Sequence, residues 1–453
     1  MKITKISLIF AFSLLMAVPA WALSGVWHGA ISMPGGRLPL VLRVGNGPSA
    51  RLDSPMQGAY DMVADKVEVK GDSLHLIISA IGLEYRGVLK DGNIEGALTQ
   101  GGASLPLTFE PGEGDAIKRP QTPKPPFPYR EQPLKFVSDA LGGAELSGTL
   151  ALPDGARTAV VFVTGSGLQD RDETICGHKP FAVIADFLAR QGVASLRYDD
   201  RGFGESTGAE TVDKATTGVF AADAKAAVKA LRAMGKFESV GIIGHSEGGS
   251  VAVMLAKDGA VDFAIGLAAP ALPGDTILTE QNRTILLQSG IAPELVDRYC
   301  DAFIKVAKFA AKYGQSPMLG AYAASQTSTW EKEGIEATLA DNLIKASAQM
   351  ATPWMRNFLK YDPQSDIAAV KCPTLLIYGE KDTQVPAQAC AEVVSPLAET
   401  NKLLTVNVLP GLNHLMQRAQ TGAVSEYPFI EETVSPEALA VVENFFSKKM
   451  KKN

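Results

Sequence analysis

Gly244-His245-Ser246-Glu247-Gly248 sets a serine between glycines two positions away on either side, directly after the apolar run from Val240 and directly before a helical pattern. A chain turning that sharply from strand to helix holds the serine in a strained conformation with its hydroxyl exposed. The glycines remove side chains that would collide with neighbouring elements. The helix start adds free N–H groups and positive partial charge where an oxyanion would form, so the backbone N–H of Glu247 is one expected donor. The bare pattern recurs at Gly204-Glu205-Ser206-Thr207-Gly208, but that copy lies several residues beyond its strand and the next helix starts only later. Context selects Ser246 as the nucleophile.

A serine hydroxyl is a poor nucleophile unless a base takes its proton. The chain has five histidines, at 28, 75, 178, 245 and 414. His28 and His75 fall in a strand-rich N-terminal segment, His178 precedes a helix, and an elbow turns the side chain of His245 away from the serine. His414, in Gly411-Leu412-Asn413-His414, follows the last predicted strand and is the expected base. The acid that holds the imidazole belongs on the loop after the preceding strand, giving the chain order Ser, Asp, His. Gly379-Glu380-Lys381-Asp382 supplies Asp382, with Glu380 as competitor; Asp362 and Asp366 come before the strand, at the wrong edge of the sheet.

The elements that must position these groups read as an α/β domain. Apolar runs at Ala159 to Thr164, Ala194 to Tyr198, Val240 to Gly244 and Phe263 to Ala268 alternate with helical stretches over Pro180 to Gln191, Asp213 to Met234 and Ser250 to Lys257. Continuous apolar strands between amphipathic helices imply a mostly parallel sheet covered on both faces. From 275 to about 361 helical patterns dominate, a helical insertion before the last strands at Thr374 to Tyr378 and Leu404 to Leu409 and a final helix over Pro436 to Lys449.

Upstream the period is different. Six short alternating stretches between Val26 and Phe109 (Val26–Ile31, Leu38–Val44, Lys66–Val69, Leu74–Ile78, Tyr85–Leu89, Leu105–Phe109) are separated by glycine turns and predict a small antiparallel β-barrel or sandwich over 23–110. Trp27 reads as core and His28 as outward-facing. Seven prolines between Pro111 and Pro133 make a linker or strap, which Phe127 and Tyr129 pin to a domain surface. The α/β domain then covers 134–450. At the front, Lys2 and Lys5 precede an apolar run from Ile6 to Val18 and the small-x-small site Ala20-Trp21-Ala22, so residues 1–22 read as a signal peptide and the product as soluble and exported, periplasmic or secreted. That run is too short to span a bilayer, so no stable membrane insertion is expected.

Composition excludes other classes. With 46% hydrophobic and 20% charged residues the 453-residue chain is neither disordered nor fibrous, and a net charge of −6 argues against nucleic acid as partner. Four cysteines form no disulfide framework and no CxxC pair. Gly165-Ser166-Gly167 after a strand suggests a dinucleotide site, but Asp170 stands where a third glycine is needed. Asp170, Arg171, Asp172, Glu173, Cys176 and His178 lack paired-histidine spacing and read as a salt-bridged loop rather than a metal site.

The chain resembles bacterial serine hydrolases of the α/β-hydrolase superfamily, in the carboxylesterase group related to prolyl oligopeptidases and serine aminopeptidases. The matching pieces are Thr164 through Glu173, Arg197-Tyr198-Asp199-Asp200-Arg201-Gly202, the Ser246 elbow, Pro353-Trp354, Cys372-Pro373, Gly379 through Pro386, and Gly411 to His414. The leader domain and the strap at Pro125 to Arg130 also resemble those of many such hydrolases. The resemblance implies hydrolysis of a small-molecule ester through an acyl-enzyme on Ser246, His414 and Asp382, with no metal or organic cofactor. It implies that the loop after the Ala159 strand gives the second oxyanion donor, Ser166 or Gly167, and that the helical insertion caps the site, with Trp354 lining the pocket or packing against core. Thr164 departs from the pattern, since many relatives carry histidine there. A peptidase of short peptides and a non-catalytic binding protein of the same fold are the alternatives.

Overall fold

Alternation of apolar and polar residues between Gly25 and Pro111 forms nine antiparallel strands: β1 (Gly25–Met33), β2 (Gly36–Val44), β3 (Ala50–Ser54), β4 (Ala59–Val63), β5 (Lys66–Lys70), β6 (Ser73–Ile78), β7 (Leu83–Lys90), β8 (Asn93–Gln100) and β9 (Ala103–Pro111). The computed structural model describes residues 23–33, 36–114, 118–314 and 316–450, and the expected signal peptide at 1–22 lies outside them. The nine strands make one sheet in the order β4-β3-β2-β1-β9-β8-β7-β6-β5. It curls around a single core that includes Trp27, Leu42, Leu74, Tyr85 and Phe109. Among the described residues β4 and β5 form its two edges without a ladder between them, so the sheet is neither a sandwich nor a closed barrel. Three strands, β3, β4 and β8, carried no sequence expectation; β4 buries none of its five residues and has no apolar stripe to read. The indole of Trp27 donates to the Leu23 carbonyl at 3.0 Å, while His28 is half-buried.

The chain divides into two compact units between residues 117 and 118. The strap's first proline, Pro111, ends β9 in the first unit, and from residue 118 the strap belongs to the second. Arg119 donates to the carbonyls of Cys176 and Pro428, and Gln121 to that of Val434. Tyr129 is buried, stacks on Phe127 and donates to Asp186 at 2.9 Å. The strap ends before its last proline, because Arg130 to Pro133 already lie in the first strand of the second sheet.

That sheet comprises β10 (Arg130–Ser138), β11 (Ala144–Leu152), β12 (Thr158–Val163), β13 (Val193–Tyr198), β14 (Ser239–His245), β15 (Ala264–Leu267), β16 (Thr374–Gly379) and β17 (Leu404–Leu409). Their order is β10-β11-β13-β12-β14-β15-β16-β17. β10 and β11 are antiparallel to their neighbours; β12 through β17 run parallel. The parallel strands inside the sheet are mostly apolar because both faces are covered. One face packs against α2 (Thr217–Ala233), α3 (Glu247–Asp258) and α10 (Ala387–Thr400), the other against α1 (Pro180–Ala189) and α11 (Pro436–Met450). Between β15 and β16 the chain inserts α4 (Gly274–Gln288), α5 (Pro293–Tyr313), α6 (Ser316–Lys332), α7 (Ala337–Met350) and α8 (Pro353–Lys360), whose apolar faces build their own core around Phe303, Trp330 and Leu343, and then the short α9 (Gln364–Ala368). Among the described residues no helix is long and apolar enough to cross a membrane.

Candidate active site

Strand β14 ends and α3 begins with no residue between them but Ser246. That residue takes φ 52° and ψ −117°, outside the regions L-residues prefer. Its N–H is held by the Leu267 carbonyl at 2.8 Å, which ties the turn to β15. The flanking glycines are required by contact: a Cβ at Gly244 would enter the backbone of Gly248, and one at Gly248 the carbonyls of Val163 and Thr164. The decoy Ser206 is consumed locally, donating to the Asp199 carbonyl at 2.7 Å and accepting the Ser147 N–H.

His414 follows β17 on a loop that Asn413 holds in shape, its Oδ1 accepting the N–H groups of Leu415 and Gln417. His414 Nδ1 lies 2.7 Å from Asp382 Oδ2. The other oxygen of Asp382 accepts the N–H groups of Gln384 at 2.8 Å and Val385 at 2.9 Å, so the carboxylate is fixed from behind. A carboxylate only accepts, so Nδ1 carries a proton and, in the neutral ring, Nε2 has the lone pair. Glu380 has a different partner, the N–H of Gly411 at 2.9 Å.

Ser246 and His414 line one cavity of about 310 Å³. Ser166 and Glu247 line it too, and Gly167, at φ +95°, is not among its walls. The cap contributes Ile277, Leu278, Trp354 and Phe358. Trp354 both lines the cavity and makes a polar contact: its indole N–H donates to Glu247 Oε1 at 2.8 Å, where the Thr217 hydroxyl also donates at 2.6 Å. Burial raises the Glu247 carboxyl above its ordinary range, against the hydrogen bonds from Thr217, Trp354 and Ser166.

Behind the cavity the loops at the C-terminal ends of β12 and β13 are tied by buried acids. Thr164 donates to Asp200 at 2.8 Å, and Asp200 also accepts the N–H of Gln169. Burial, with the charges of Glu173 and Glu247, pushes the Asp200 carboxyl up to about 8 despite these bonds. Asp199 is held by Arg171 at 2.7 Å and Arg201 by Asp223 at 2.7 Å, which makes Arg197 to Gly202 a scaffold. The loop is salt-bridged as expected, Arg171 to Asp199 and Lys179 to Asp172, and within it Glu173 is 1% exposed and contacts His245 and the Gly165 N–H. Among the described residues no cluster of histidine, cysteine and acidic side chains is arranged to hold a metal ion.

The family described as serine aminopeptidase, S33, matches residues 178–418, which include Ser246, Asp382 and His414. Esterase EstD of Thermotoga maritima is 28% identical over 295 residues, covering 64% of this chain and 62% of the esterase, so the chain spans less than two thirds of that relative's length. A non-heme haloperoxidase of Rhodococcus erythropolis is 28% identical over 232 residues, 51% of this chain and 78% of the relative. Among solved structures, an esterase of Pyrococcus furiosus aligns with a TM-score of 0.45 at 17% identity, covering 75% of this chain and 99% of the other. A family match over more than half of the sequence, on a mostly parallel sheet with a helical insertion, makes this chain a member of the serine aminopeptidase S33 family of α/β-hydrolases.

Proposed function

We propose that this hydrolase cleaves carboxylic esters of small neutral substrates through an acyl-enzyme, with Ser246 as nucleophile, His414 as base and Asp382 as the acid that orients it, and that it acts after export. The contact that carries the reading is His414 Nδ1 to Asp382 Oδ2 at 2.7 Å, made on the wall of the cavity that Ser246 also lines. In acylation, Ser246 Oγ bonds to the carbonyl carbon while its proton passes to His414 Nε2. The oxyanion accepts from the N–H groups of Glu247 and Ser166. Collapse breaks the ester bond, and the leaving alkoxide takes the proton from His414. Water then repeats the sequence against the acyl group: His414 removes its proton, the acid leaves, and Ser246 recovers the proton from His414.

Ester rather than peptide cleavage is favoured by the cavity wall. Ile277, Leu278, Phe358 and Val385 supply apolar surface for an acyl chain. Among the described residues lining the cavity, Glu247 gives the one carboxylate, and its Oε1 already accepts from Thr217 and Trp354. It is poorly placed to hold a peptide's free ammonium group. Nitrophenyl esters set against aminoacyl-nitroanilides, with wild type and Ser246→Ala, test the proposal. Esters should be turned over in preference, and only by wild type. Preference for the anilides would make the protein a peptidase, and failure to react with a fluorophosphonate would make it a binding protein.

A further inference from the structure

Glu173 and His245 are buried beside the Ser246 cavity and have no part in the scheme above. His245 Nδ1 lies 2.8 Å from Glu173 Oε1, and His245 Nε2 lies 3.0 Å from the main-chain oxygen of His414. The same Glu173 oxygen accepts the N–H of Gly165 at 2.8 Å. An ionised carboxylate and a carbonyl are both acceptors, so both contacts of the ring are hydrogen bonds only when each nitrogen carries a proton. Burial works most strongly against that cation, but the charge and hydrogen bond of Glu173 and the bond to the His414 carbonyl override it and raise the ring above its ordinary value. The void beside the pair measures about 10 Å³ and is walled by Phe181, Ile184, Leu267 and Met416. Both ring nitrogens already have protein partners, the Glu173 carboxylate and the His414 carbonyl.

Resting on the reading of Ser246, His414 and Asp382 as the catalytic groups, we propose that Glu173 and His245 form a positioning brace between the loop that offers the Ser166 N–H and the main chain that carries the catalytic imidazole. Gly165 directly precedes Ser166. Fixing its N–H fixes where the next N–H points. Fixing the His414 carbonyl fixes the ring that must face Ser246. A misplacement of about 1 Å at either group costs about a hundredfold in rate, and the brace holds both through one ionised side-chain pair.

Three variants test this in the full chain: Glu173→Gln, His245→Asn and, as a charge-retaining control, Glu173→Asp. In Glu173→Gln the amide oxygen can still accept from Gly165, but the buried imidazolium loses its counter-charge. The ring then keeps one proton and one of its two bonds. Nitrophenyl ester kinetics should show kcat lowered about 10- to 100-fold with KM within about threefold, while cooperative thermal unfolding is retained. The pH profile of kcat separates positioning from packing. The titratable groups facing the ring are Glu173, Asp382 and His414, with Asp200 and Glu247 behind Glu173. Loss of a proton from His245 at high pH breaks one arm, so kcat falls on the alkaline side. Glu173→Gln should move that limb to lower pH, Glu173→Asp should leave it in place with a lower plateau, and His245→Asn should abolish it. Folded variants with wild-type kcat and profile would overturn the brace; so would loss of folding in all three, which would make the pair a structural element only. If Ser246→Ala is inactive while these variants are normal, the brace alone fails; if Ser246→Ala still turns over ester, the catalytic reading fails first.

Discussion

The two folded units handle charge in opposite ways. In the β-unit, ion pairs sit near solvent: Arg51 with Asp61 at 3.1 Å and Lys90 with Glu95 at 3.5 Å, with every side chain at least half exposed. Its one buried charge among the described residues, Asp53, is paired with a partly exposed arginine, Arg43. In the α/β-unit, Glu173, Asp200, Arg201, Asp223, Glu247 and Asp382 are all buried. Apart from Asp223 on α2, they collect at the C-terminal ends of the strands, where open α/β sheets bind ligands. Removing a charge from water costs several kcal/mol. The β-unit avoids that cost almost everywhere, and the α/β-unit accepts it at one edge. Buried ionisable groups therefore gather at the edge of the sheet where the Ser246 cavity lies.

The sharpest test of that contrast is Ser246→Ala. It removes one oxygen and should lower kcat at least about ten-thousandfold without lowering the melting temperature, measured by ester hydrolysis and thermal unfolding on the same preparation. Next in size is stability. Asp223→Ala leaves Arg201, fully buried, without its bidentate partner. Breaking such a pair costs about 3–5 kcal/mol. The matching change in the β-unit, Arg51→Ala, should shift the unfolding midpoint by about 1 °C or less, because exposed pairs contribute little. Similar losses from the two substitutions would erase the distinction drawn between the units.

Asp200 sharpens the comparison through pH. Its carboxyl is raised from 3.8 to about 8, chiefly by burial, so the folded protein keeps a proton that the unfolded chain gives up near its ordinary value. Its contribution to stability is therefore full below about pH 4, declines as pH rises, and becomes a complete penalty above about pH 8. Asp200→Asn removes the titration and keeps an acceptor for the Thr164 hydroxyl. Melting curves should show no gain over wild type near pH 4 and a gain of several degrees near pH 9. A gain independent of pH would mean that the carboxyl is ionised throughout.

How much of this could be read in the sequence depended on distance along the chain. The Ser246 elbow is a five-residue pattern whose glycines answer to backbone contacts, and His414 and Asp382 are each placed by the strand before them. The parallel strands were legible because both their faces are covered. The two antiparallel strands were not: β10 has alternating, largely exposed residues, and β11, though mostly buried, is broken by Glu145, Ser147, Gly148 and Thr149 and has no continuous apolar run. Nor could any spacing rule show that Glu173 meets His245 across 72 residues, or that Trp354 reaches Glu247 across 107. Those contacts are made by the fold, and a loop rich in Asp, Arg and Glu looks the same in sequence whether its acids face water or an imidazole.

The smallest expected effect separates two tryptophans of the same helical insertion. Trp330 is buried in the insertion's own core, whereas Trp354 lines the cavity and donates to Glu247. Trp354→Phe keeps an aromatic ring against Phe358 but removes the N–H that links α8 to Glu247, the residue after Ser246. Thr217 still donates to the same oxygen, so the loss should be that of an ordinary hydrogen bond, about 1 kcal/mol. Because the bond fixes the cavity wall and makes no contact with the reacting atoms, that loss should appear as a KM raised about threefold to fivefold with kcat nearly constant. Trp330→Phe should leave KM unchanged and lower only the unfolding midpoint. If both variants alter stability alone, Trp354 is packing and Glu247 does not hold the cap through it; if Trp354→Phe lowers kcat instead, the carboxylate beside Ser246 bears on the chemical step.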